Sequence, residues 1–379
     1  VEVATLRGKV PVGLVAAMGF AALIVAGPGL AGRPQQTKGS LGAEGPATPS
    51  PSENQIGVLP SPSPIARVYH SMAYDGVSQQ IVLFGGNAQP SFDATHRWLN
   101  DTWLWSGTSW TAAAPPVAPA PRGAAAMAYD EGSSQLILFG GWTTDGKPPA
   151  SNDRLLNDTW VWSGQSWTVI PAAHAPSPRA NASLEYDPNS RKLVLFGGSG
   201  ESGLLSDTWT WNGDDWAEVT NQAVTPPVGA RLGLVGKPGE IVSLGSCAIG
   251  ARARFPLTLL NEAWNLGPSM PTQLITLCGS TVVSNPETGE ALIFGGGASF
   301  PDGVNSGPTS ERTGGFYSWN GTAMSDNSSS VGPAPRTLSA GTYDRARHVT
   351  LFFGGDAGAA GHVLGDTWIW DGKSWHEAK

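Results

Sequence analysis

Charged side chains are scarce in this 379-residue chain, at 14% of all residues against about 25% in an ordinary soluble domain. Only 22 residues are Lys or Arg, against 30 Asp and Glu, which leaves a net charge of −8. So acidic a balance excludes a nucleic-acid binder that works by neutralising phosphates. An Asp-x-Asp calcium ladder, a nucleophile elbow and a Gly-rich phosphate loop are all missing. Gly and Pro are plentiful, at 50 and 31 residues, but without a triplet period, so the chain is not collagen-like. Neither of its two cysteines stands directly after the apolar N-terminal stretch, which excludes thiol lipidation there. Tryptophan, by contrast, is abundant at 16 residues. Something in the fold repeatedly buries large flat rings, and a disordered chain would carry far fewer.

Arg7 and Lys9 precede residues 10–32, which carry no charge. A basic flank, an apolar centre (VGLVAAMGFAALIVAG, 12–27) and small residues at 29–31 read as a secretory signal. The stretch also approaches the about 20 residues needed to span a bilayer, so a retained single-pass anchor with its basic end in the cytoplasm is the alternative. Residues 1–32 are thus expected to form a hydrophobic helix, cleaved or retained. Residues 33–64 are rich in Pro, Ser and Gly and cannot bury enough surface to offset chain entropy, so a disordered spacer is expected. The chain has a bacterial flavour, but no organism follows from it.

From residue 65 onward one unit recurs six times. Leu-Phe-Gly-Gly occurs at 83–86, 138–141 and 195–198, with variants at 293–296 and 352–355 and a decayed copy at 243–246. The first glycine falls at 85, 140, 197, 245, 295 and 354, a spacing of 48 to 59 residues. Upstream stands an Arg followed by an alternating run that ends in Tyr-Asp. Downstream stand Asp-Thr-Trp-x-Trp and one further Trp, as at 101–105 and 110. Each unit therefore reads as four short strands, A to D. Trp-x-Trp puts both rings on one face of strand C, because the strand period is two.

A period near 50 with paired glycines resembles the kelch-repeat family. The resemblance implies an all-β fold: a six-bladed kelch-type β-propeller spanning 65–379, with four antiparallel strands per blade. It says little of function, since that fold hosts unrelated activities. Fourteen of the 16 Trp hold repeat positions and read as packing between blades. Every blade takes its own four strands, so closure rests on packing of blade one against blade six, unless residues 55–59 add an outer strand.

The BC and DA loops must share one mouth of the ring, and the BC loops vary from eight to about 18 residues. This variable face is the default binding surface. Arg67, Arg122, Arg179, Arg231 and Arg336 would ring it. One reading is an anion-binding crown, since in ligand-binding kelch proteins Arg at this position contacts acidic partners. The other is five structural ion pairs, with Asp101, Asp158, Asp207, Glu262 and Asp366 respectively. Blade five has Leu277 and Gly315 in those places, so it loses both charges together, as a structural pair would.

Cys247 and Cys278 fall in adjacent blades at the same mouth, and export would favour a bridge between them. Trp98 and Trp142 lie outside the repeat in mouth loops, suited to stacking on a sugar, to receiving a partner's apolar anchor, or to packing the loops. Arg252 and Arg254 add positive charge in the blade-four loop. His96 and His362 could meet across the ring closure, but two ligands make no metal site. Copper-radical oxidases and a sialic-acid epimerase share this fold. The tyrosines here are mostly committed to the AB turn, away from the mouth, so neither a metal nor a cofactor is expected. The expectation is a non-catalytic, monomeric, extracytoplasmic module. It would be secreted or membrane-anchored through its N-terminal segment and would bind a protein or cell-surface glycan and no nucleic acid. A carbohydrate-active enzyme using the same face is the alternative.

Overall fold

The computed structural model describes residues 62–88, 98–144, 154–220, 222, 224, 226, 230–236, 239–244, 257–266, 279–297, 313–329, 331–358 and 363–378. The N-terminal helix expected within 1–32, the spacer up to residue 61 and the extra strand considered at 55–59 lie outside them. Among the described residues, no helix is long and apolar enough to cross a membrane.

Six four-stranded antiparallel sheets, each built from consecutive strands, make up the propeller. Blade one holds β1 (Ser71–Asp75), β2 (Gln80–Asn87), β3 (Trp98–Trp105) and β4 (Trp110–Ala113). Blade two holds β5 (Ala126–Asp130), β6 (Gln135–Thr143), β7 (Arg154–Trp162) and β8 (Trp167–Ile170). Blade three holds β9 (Ser183–Asp187), β10 (Lys192–Gly200), β11 (Gly203–Trp211) and β12 (Trp216–Glu218). Blade four holds β13 (Arg231–Val235), β14 (Glu240–Leu244), β15 (Leu257–Leu260) and β16 (Ala263–Leu266). Blade five holds β17 (Thr281–Asn285), β18 (Glu290–Phe294), β19 (Phe316–Trp319) and β20 (Met324–Asp326). Blade six holds β21 (Ala340–Asp344), β22 (Val349–Asp356), β23 (Val363–Trp370) and β24 (Trp375–Ala378). Among the described residues, the ring closes by packing, with no strand exchanged between its first and last blades. The Trp110 indole donates to Thr367 Oγ1 at 2.9 Å, and Gly355 N–H donates to the Arg67 carbonyl at 3.0 Å.

The repeated residues explain how one blade meets the next. The second Trp of strand C faces the Trp that opens strand D, as at Trp105 and Trp110, 5.4 Å apart between ring centres. That last Trp also packs on the Phe of the Gly-pair motif in the preceding blade: Trp167 on Phe84 at 5.2 Å, Trp216 on Phe139 at 5.1 Å. Its N–H crosses the same junction to the Thr of Asp-Thr-Trp, from Trp167 to Thr102 at 3.0 Å and from Trp216 to Thr159 at 2.9 Å. Each buried ring removes a large apolar area from water, and edge-to-face contact adds to that. The indole N–H, which would be costly to bury alone, keeps a partner.

The glycine pairs serve the next blade's backbone. Gly85 has φ +64°, and a Cβ there would stand 2.5 Å from the Arg122 carbonyl oxygen. Gly86 N–H donates to that oxygen at 2.9 Å. Only glycine combines the left-handed conformation with so close an approach.

Blades four and five keep the sheet while losing the signature. Ile241 pairs with Leu259 as Ile81 pairs with Trp105, so Leu257-Thr258-Leu259 replaces Trp-x-Trp in blade four. In blade five Trp319 pairs with Met324, which takes the place of the strand-D tryptophan.

Candidate functional site

Four copies of one clamp hold the mouth. Arg67, Arg122, Arg179 and Arg336 are almost wholly buried. Each guanidinium grips an aspartate with both Nη atoms at 2.6–2.8 Å: Asp101, Asp158, Asp207 and Asp366. Nη1 also donates to the carbonyl of the first glycine of the pair at 2.8–3.0 Å. Nε donates to the carbonyl two residues before the Arg at 2.9–3.0 Å. The first Trp of strand C then donates Nε1 to the same carboxylate at 2.6–2.8 Å. Each clamp therefore ties the end of strand B to the start of strand C, at the two stems of a BC loop. The bidentate fork is why Arg serves here and Lys would not.

Burial works to raise the four aspartate pKa values, but the Arg hydrogen bonds and charge, with the Trp N–H, outweigh it and hold the carboxyls below the ordinary range. A lowered folded pKa contributes stability that is present above the unfolded value, near about pH 4, and is lost as pH falls through the folded value. Urea midpoints should therefore fall more steeply below about pH 4 in the parent than in an Asp158→Asn variant. Parallel slopes would remove the linkage.

Blade four departs from the expected scheme. Arg231 forms no pair with Glu262. The register sets Leu259 at the position of Trp105, so Glu262 falls beyond strand C, in the tight turn between β15 and β16 at the opposite end of the blade. There it bonds Lys192 Nζ at 2.6 Å. Arg231 itself begins strand A, where the clamp arginines precede strand A by four residues. Its Nη1 donates to the Asn181 carbonyl at 3.2 Å, and burial pulls its pKa down.

Trp98 and Trp142 belong to strand extensions beyond the Gly pairs, β3 and β6. Trp98 is only 8% exposed, and a Cβ on Gly123 of blade two would stand 2.1 Å from its ring. Tyr69 meets both indoles edge-on, Trp98 at 6.4 Å and Trp142 at 6.1 Å. Trp98 is thus a wedge between blades one and two, while Trp142 stays half-buried at the mouth. His96, His362, Arg252, Arg254, Cys247 and Cys278 all lie outside the described residues. Among the described residues, no group of three or more His, Cys, Asp or Glu is placed to hold a metal ion.

Sequence reasoning missed the axial channel. Six A strands surround two contiguous cavities of about 190 and 150 Å³, the larger opening towards the BC/DA mouth. Arg231 lines the larger, and Glu185 lines both. Burial pushes the Glu185 carboxyl up to about 7, against the Ser284 hydroxyl, which donates to it at 2.9 Å. The sequence did hold a signal: Glu185 is the one charged residue directly before the repeated Tyr-Asp, where the other clear repeats carry Ala, Ala and Thr.

The comparisons with known proteins agree with this architecture. A solved structure titled "Structure of YjhT" covers 85% of this chain and 100% of its own, with a TM-score of 0.59 and 17% identity. At that identity the likeness concerns the fold alone. Dynein regulatory complex subunit 7 of Chlamydomonas reinhardtii is 32% identical over 128 residues, which are 32% of this chain. The match spans only 10% of that protein's length. The KLHDC2/KLHL20/DRC7 Kelch-repeats domain matches residues 54–245, just over half of the chain. With the Arg-Asp-Trp clamps and paired glycines in register, the chain belongs to this Kelch-repeat family.

Proposed function

We propose that the propeller is a non-catalytic recognition module that holds a protein partner on its BC/DA face. The observation that carries this reading is where the repeated chemistry is spent. Four buried clamps fasten the stems of loops that differ in length, so a rigid frame presents variable segments. The relative from Chlamydomonas is named as a subunit of a regulatory complex, which fits a role in assembly. A photo-crosslinker placed in the full chain at Arg154, beside a BC loop, should capture a partner that one at Thr108, on the opposite face, does not. Capture from Thr108 alone, or sugar turnover that depends on a mouth residue, would overturn the reading.

A cell-surface glycan is the second reading, favoured by the half-buried ring of Trp142 at the mouth. Glycan-array binding that is lost in Trp142→Ala would select it. The basic-then-apolar order of residues 7–32 supports an extracytoplasmic position, tethered or released. Protease access to the propeller on intact cells, against a cytoplasmic marker, tests that position.

A further inference from the structure

The axial channel carries two opposite charges that do not meet. Arg231 and Glu185 stand on neighbouring A strands, β13 and β9, and line the same cavity of about 190 Å³. Leu232 N–H donates to Ser183 Oγ at 2.9 Å, which fixes the two strands side by side at the level of Arg231. Glu185 is two residues deeper along β9, roughly 6.5 Å. Neither charge has an ion-pair partner among the described residues; Arg231 bonds the Asn181 carbonyl, and Glu185 the Ser284 hydroxyl and the Tyr186 backbone. An unpaired guanidinium or carboxylate held out of bulk water is costly. The lining of the cavity includes small residues such as Ala126, Ala182 and Ser183. Below Glu185, at the AB end, Arg345 of blade six lines the smaller cavity and pairs with Glu131 of blade two.

The geometry points to a binding site in this channel for a small zwitterion, its carboxylate on Arg231 and its ammonium on Glu185. A molecule with both charges neutralises both walls at once. One with a single charge leaves the other wall uncompensated. This inference rests on the A strands and does not depend on the reading that the BC/DA face holds a protein.

The test is calorimetry on the full chain at pH 8, above the raised value of the Glu185 carboxyl. The other charged groups near that carboxyl are Arg345 and Glu131, already bonded to each other. The probes are glycine, 4-aminobutyrate and 5-aminovalerate, zwitterions of increasing charge separation, with butyrate and butylamine as single-charge controls. One of the zwitterions should bind at least tenfold more tightly than either control. Glu185→Gln, equal in size to the original, and Arg231→Gln, which removes the charge, should each weaken that binding tenfold or more. The proposal is overturned if no zwitterion binds below 10 mM, a limit of about 2.7 kcal/mol, or if butyrate binds as well as the best of them. Because the first comparison uses the unaltered protein, misfolding of a variant does not rescue the idea. Failure here leaves crosslinking from the mouth unaffected.

Discussion

Arg122→Leu is expected to destabilise the protein by about 3–5 kcal/mol, read as a lower urea midpoint at unchanged slope. The guanidinium makes four hydrogen bonds: two to Asp158 and one each to the Gly140 and Ala120 carbonyls. Removing it strands a carboxylate that is 29% exposed, together with two carbonyls. Trp160 would still donate to that carboxylate, but one indole N–H does not replace a charge. Arg122→Leu with Asp158→Leu should recover part of the loss, because neither charge is then orphaned. Blade five illustrates the double loss: Gly315 stands at the aspartate position, and the sequence carries Leu277 in place of the arginine. A single variant that unfolds like the parent yet captures no partner would return these arginines to the anion-crown reading.

What was legible in the sequence is what recurs. The blade count, the strand order and the clamp partners of Arg67, Arg122, Arg179 and Arg336 all follow from residues that return in register. Repetition supplies its own alignment, and Asp-Thr-Trp-x-Trp leaves no freedom to slide. Where the signature decays, alignment loses its anchor. Blade four keeps no Trp-x-Trp to fix the count, so the sequence offers Glu262 as the partner of Arg231, whereas the strand pairing puts Glu262 in the turn after strand C. The channel escaped for a different reason. Its walls are A strands that meet only when the ring closes, so the proximity of Arg231 and Glu185 depends on the packing of β9 against β13. Nothing local in either strand records it. Trp98 is intermediate: its place outside the repeat was visible, but the bare backbone of Gly123 that receives its ring belongs to the next blade.

Trp167→Ala should cost about 3–5 kcal/mol, the second large effect. The ring is 1% exposed and meets Trp162 of its own blade and Phe84 of blade one, each at 5.2 Å. Truncation opens a cavity at the junction of two blades, where the sheets themselves are too regular to collapse into it. It also orphans Thr102 Oγ1, the acceptor of the indole N–H. Two further variants separate these contributions. Trp167→Phe keeps most of the apolar ring and should lose only about 1–2 kcal/mol. Thr102→Val keeps the indole in place but buries its N–H without an acceptor, at about 1–3 kcal/mol. Hydrogen exchange should localise the damage, with amides of β3 and β8 losing protection before those of blades three to six. Blade five shows how the fold tolerates the change elsewhere: Met324 fills the Trp position with a flexible side chain. If Trp167→Ala stays within 1 kcal/mol of the parent, the indoles do not hold the ring together. The glycine pairs and the backbone bonds they permit would then be its principal joints.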